Sequence, residues 1–158
     1  IIEKMRKAPK LFFLDVGLTN YRIGFKEFFN SKTSLDSIYQ GKISEQVVAQ
    51  EIISHSDTYP SLNFWIREQG AAEIDFLYPF KGIVIPIEVK SGKAGKLRSL
   101  NLFMEKSNHP YAVRIYSGKS RIDRVNLPSG KFFFLYSMPY YVLPRLDEAI
   151  NQFITQSS

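Results

Sequence analysis

The sequence predicts an α/β domain with a mixed central sheet, and three observations carry that prediction. Residues 73–77 and 83–90 alternate between two side-chain faces at the strand period of two. Gly41–Ile53 and Leu143–Ile154 repeat apolar residues at the helical period. The element order is then helix, three strands, helix, strand, which requires helices packed on a sheet. At 158 residues, with 44% apolar and 15% aromatic residues, the chain reads as one domain with material for a proper core.

The first nine residues lack an initiator Met and look like the tail of a preceding segment, ended at Pro9. Lys10–Val16 is an aromatic-apolar run, and Gly17–Gly24 reads as a loop or turn-rich crossing. Phe25–Thr33 offers only three aromatic anchors. The first long helix is expected over Gly41–Ile53, with Gly41 as the breaker before it and Val48, Ala49, Ile52 and Ile53 as its inward stripe. Glu45 falls inside that stripe. It is either held there by a partner or metal, or it sits in the first turn where the helix dipole favours an acid.

Phe64–Lys90 reads as two or three strands joined by short Gly/Pro turns. Ile83, Ile85, Ile87 and Val89 share one face, which must be core. If Ile74 and Phe76 join it, Asp75, Glu88 and Lys90 converge on the other side. Ser91–Lys96 is a small, basic, Gly-rich loop. Leu97–Lys106 follows as a helix with Leu97, Leu100, Phe103 and Met104 inward. Tyr111–Tyr116 is a strand closed by a turn at Ser117-Gly118, Lys119–Leu127 holds three basic residues, and Lys131–Tyr136 is a strongly apolar strand. Leu146, Ala149, Ile150 and Phe153 share one side of the last helix.

Two carboxylates held close together repel, and a divalent cation with hard-oxygen preference, Mg²⁺ or Mn²⁺, removes the conflict. A neighbouring Lys compensates the remaining charge. The bland reading of Glu-x-Lys is a solvated strand face with a weak ion pair. Zero cysteines exclude disulfides, thiol catalysis and cysteine metal sites, and they fit a cytoplasmic location. His55 and His109 stand far apart and read as surface residues. No apolar run reaches the ~20 residues of a membrane span, and no signal peptide is visible. Of the 21 basic residues, ten lie between Lys81 and Arg124 against three acids, within a net charge of +6. That favours an anionic partner, nucleic acid first, although solubilising lysines would give the same total.

Asp75 followed by Glu88-Val89-Lys90 at the end of an apolar strand resembles the PD-(D/E)XK nuclease-like superfamily, whose shared core is the restriction-endonuclease-like αβββαβ order. The resemblance extends to Phe13-Leu14-Asp15-Val16-Gly17-Leu18, Gly41-x-x-x-Glu45, Glu73-Ile74-Asp75-Phe76 and Ile85 to Ser91. These look like the uncharacterised domain at the C-terminus of many bacterial and archaeal AAA-type ATPases, over roughly Lys7 to Pro144. That resemblance implies an ATPase module in the same parent chain, absent from these residues. It implies Asp75, Glu88 and the Val89 carbonyl as ligands to Mg²⁺ (or Mn²⁺), Lys90 as the group that orients or activates water, and Glu45 as an additional acid. The first reading is a metal-dependent nuclease-like domain acting on DNA within an ATPase, and the basic surplus then suggests Lys93, Lys96, Arg98, Lys119, Arg121 and Arg124 as a phosphate-tracking rim. The alternative is a non-catalytic docking or regulatory domain that binds a protein or nucleic-acid partner, and fold alone does not separate the two.

Overall fold

The computed structural model describes residues 10–22, 37–55, 62–67, 72–91 and 97–157. The tail at 1–9, the aromatics of 25–33, and Lys93 and Lys96 lie outside the described residues.

The frame is a six-stranded mixed sheet. β1 (Asn63–Ile66), β2 (Glu73–Phe80), β3 (Ile83–Lys90), β4 (Tyr111–Tyr116), β5 (Arg121–Asn126) and β6 (Phe132–Pro139) lie in the order β1-β2-β3-β4-β6-β5. β3 runs parallel to β4 and β4 to β6, while the other pairs are antiparallel. The β2–β3 hairpin turns on Lys81 and Gly82, whose φ values of 45° and 83° are both positive. Two positive-φ residues make the tight turn whose twist matches paired strands.

Helices cover both faces. α1 (Val16–Arg22) and α2 (Ser37–Ser54) precede the sheet, α3 (Arg98–Met104) joins β3 to β4, and a 3₁₀ turn (Tyr140–Arg145) leads into α4 (Leu146–Gln156). Val48, Ala49 and Ile52 of α2, with Leu143, Leu146 and Ile150, pack on Phe76, Ile85, Ile87, Val113, Ile115 and Met138. On the opposite face Leu100 and Met104 of α3 pack on Ile74, Ala112, Phe133 and Leu135, with Trp65 against Phe103 at 5.6 Å. Phe153 closes the far end edge-on to Tyr111. None of the described helices is long and apolar enough to cross a membrane.

Three expectations change. Gly41 lies inside α2, with open space around it, rather than ahead of it; an exposed helix tolerates Gly at about 1 kcal/mol relative to Ala. The 17–24 stretch contains a helix, because the Asp15 carboxylate accepts the Leu18 N–H at 3.0 Å and caps α1. Lys119–Leu127 supplies a sixth strand at the sheet edge.

Candidate active site

The site begins with an irregularity in β2. Between Asn63 and Trp65, β1 takes two steps, whereas β2 takes three from Leu77 to Ile74. The extra residue is a β-bulge, which breaks the alternation of faces. Ile74 therefore joins the layer under α3 and Phe76 the layer under α2, so the two do not share a face as regular alternation requires. Regular β2–β3 pairing ends at Phe76↔Ile87. Beyond it the Asp75 carboxylate enters the ladder and accepts the Val89 N–H at 2.8 Å.

Glu88 and Lys90 alternate with Ile87 and Val89 and so occupy the β3 face turned away from α2. Glu88 is buried, at 6% exposure, and its Oε1 receives the Lys90 ammonium at 2.5 Å. Its Oε2 is buried without a hydrogen-bond partner. Burial raises the pKa of Glu88 against the opposing effect of Lys90, and the Glu45 and Glu73 charges add to the rise. Asp75 is pushed up to about 7, first by burial, then by the charge of Glu88; the Val89 N–H opposes this, Glu45 adds to it, and Lys10 offsets part. Asp75 thus senses Glu88, and both carboxylates sense the acid on α2.

Glu45 is partly buried and held by Lys42 at 3.2 Å. The Tyr140 hydroxyl donates to the Lys90 carbonyl at 3.0 Å, and its pKa is raised by burial and, in smaller part, by Asp75. Lys10 pairs with Glu73 and lies over the Phe64 ring. Its backbone run is fixed by Gln46, whose buried amide both accepts from Phe13 N and donates to Phe13 O. Among the described residues no group of three acid or histidine side chains forms a metal cage by itself.

Of the described basic residues, Arg121 and Arg124 do not share a surface. Arg98 and Lys119 are exposed. On β5, Arg121 shares the face of Val125, which packs in the α3 layer, and pairs with Asp123 at 2.9 Å. Arg124 takes the other face and stacks over Phe132 at 4.0 Å. The histidines are anchored rather than free: His109 Nε2 meets the Val84 carbonyl at 2.9 Å and His55 Nε2 the Leu143 carbonyl at 3.3 Å.

Sequence reasoning missed Arg114. It is 6% exposed, lies beside Glu88 in register, and donates Nη2 to Ser137 Oγ at 2.6 Å. Its signal was available: one charged residue inside Tyr-Ala-Val-Arg-Ile-Tyr, an otherwise apolar strand. Tyr140 and Gln46 gave no such signal, because their roles depend on contacts distant in sequence.

A family model described as "Domain of unknown function (DUF4143)" matches residues 40–139, a span from the first turns of α2 to the end of β6 that includes Glu45, Asp75, Glu88, Lys90 and Arg114. No curated protein and no solved structure matches the chain. With the match covering more than half of the 158 residues, the chain belongs to the DUF4143 family.

Proposed function

We propose that this domain is a metal-dependent, nuclease-like module that acts on DNA as part of a longer ATPase chain. The observation that carries the reading is the Asp75 bulge. It brings a carboxylate to the Val89 N–H, within electrostatic reach of a second, buried carboxylate that has one oxygen unsatisfied. A fold gains nothing from two buried carboxyls whose pKa values are both raised, one of them in part by the charge of the other. The run α2, β1, β2, β3, α3, β4 also has the αβββαβ order expected of such a module.

The donor set fits Mg²⁺ or Mn²⁺. Asp75, Glu88 and the Val89 carbonyl are hard oxygen donors, and Mg²⁺ is commonly held by only one or two carboxylates plus substrate phosphate. When bound, such an ion supplies Lewis acidity and a more acidic water. The chain's own groups do the rest. Glu88 holds the Lys90 ammonium, which orients the attacking water and offsets the charge that develops on the phosphate. Tyr140 fixes the Lys90 backbone. Asp75, with a pKa near 7, passes from protonated to charged across the neutral range.

The docking alternative is favoured by a different observation: Leu11, Leu14, Leu18 and Tyr21 are 79%, 90%, 54% and 81% exposed. A cleavage assay separates the two. Single- and double-stranded DNA should be cut with Mn²⁺ or Mg²⁺ and poorly with Ca²⁺, and Asp75→Asn or Glu88→Gln should abolish the cutting. No cleavage by wild type, or cleavage indifferent to both substitutions, would leave docking as the better account.

A further inference from the structure

A polar row crosses the sheet beside the site. Glu88 is paired in register with Arg114, Arg114 with Ser137, and Ser137 with Arg121. On each of the three parallel strands the residue is third from the C-terminal end. Earlier on the same face the strands are apolar, with Ala112, Phe133 and Leu135 under α3. In open α/β sheets ligands settle at the C-terminal ends of the strands.

Arg114 is the unusual member. Its guanidinium lies 4.8 Å from the Tyr116 ring centre, and its buried Nε has no hydrogen-bond partner. Tyr116 is held there by donating to the Lys119 carbonyl, and it lies so close to Gly118 that a Cβ would meet the ring at 2.2 Å. Among the described residues no carboxylate stands within ion-pair distance of Arg114. Glu88 gives Oε1 to Lys90 and leaves Oε2 unbonded. A buried cation with no anion is strongly disfavoured, so the arrangement is incomplete without one.

We propose that Arg114 is a phosphate-binding residue of this site, its guanidinium receiving an oxygen of a phosphodiester that lies against Glu88 and Lys90. The inference rests on the nuclease-like reading of Asp75 and Glu88. The planar fork of Arg suits a phosphate edge, and the Tyr116 ring lies against the guanidinium at 4.8 Å. Arg121, two strands further along the row and about 10 Å away, continues the path to the sheet edge.

The test is anisotropy of a labelled short single-stranded oligonucleotide in chelator at low salt, with Mn²⁺ titrated separately. Arg114→Gln should weaken oligonucleotide binding about tenfold to a hundredfold, Arg114→Lys should weaken it less, and both should bind Mn²⁺ as wild type does. Oligonucleotide binding unchanged in Arg114→Gln, with Mn²⁺ binding intact, would overturn the role of Arg114 and leave the metal reading standing. An Arg114-dependent loss in a protein that does not bind Mn²⁺ would support Arg114 and count against the metal reading alone. Inorganic phosphate that binds Arg114 as tightly as the oligonucleotide would overturn the phosphodiester assignment. If Arg114→Gln does not fold, Arg114→Lys carries the comparison. If Glu88→Gln and Arg114→Gln destabilise equally and their combination costs no more, the two are a structural ion pair and the proposal falls.

Discussion

Replacing Asp75 with Asn should stabilise the protein in chelator. Asn keeps an oxygen for the Val89 N–H but carries no charge toward Glu88. The sign follows from linkage. A carboxyl whose folded pKa lies above its unfolded one binds more protons in the folded state between the two values. Its unfavourable contribution therefore grows as pH rises from about 4 to about 7 and is complete above that. Going from 3.8 to about 7, at about 1.36 kcal/mol per pKa unit, sets a ceiling of about 4 kcal/mol. We expect about 2–4 kcal/mol at pH 8, or roughly 4–16 °C in Tm for a chain of this size. Thermal melts of wild type and Asp75→Asn, in chelator at pH 5 and pH 8, give the measurement. The gain should be large at pH 8 and smaller at pH 5. A lower Tm for Asp75→Asn at pH 8 would refute the reasoning and make Asp75 a structural ion-pair partner.

Lys90→Ala should act in the opposite direction, because it leaves Glu88 buried without its cation; urea unfolding should show a loss of about 3 kcal/mol at pH 8 that shrinks as Glu88 protonates in acid. Gln46→Ala leaves the Phe13 N–H and C=O unpaired, costing about 2–3 kcal/mol, and faster hydrogen exchange at the Phe13 amide should accompany it. Oligonucleotide affinity should fall with salt by about 0.7 in log–log slope for each phosphate contacted. Reversing Arg121 should flatten that slope, whereas reversing Arg124, on the other face of β5, should leave it unchanged.

Much of the layer structure was legible from periodicity. Ile85, Ile87 and Val89 on one side of a strand, and Leu146, Ile150 and Phe153 on one side of a helix, are core because alternation and the helical repeat admit no other placement. The bulge at Asp75 was not legible. Its cause is a mismatch between β1 and β2, and nothing in Glu-Ile-Asp-Phe announces an extra residue. The α1 helix was hidden for another reason: Gly17 and Gly24 suggested a loop, while the Asp15 cap that starts the helix is a single side-chain contact. At the site, the contact of Lys90 with Glu88 follows from their spacing of two along β3, whereas Asp75 reaches the Val89 N–H only where the bulge ends regular pairing. The row through Arg114 and Ser137 depends on which strands become neighbours, and β6 reaches β4 only because β5 is placed outside it.

The central claim is that Asp75 and Glu88 together hold a divalent cation, and calorimetric titration with Mn²⁺ at pH 8 tests it most directly. Wild type should bind one Mn²⁺ per chain, with affinity falling as pH drops through about 7 and a proton competes at Asp75. The Asp75→Asn, Glu88→Gln double variant should fold and bind none. No binding by wild type, or equal binding by the double variant, would contradict the account.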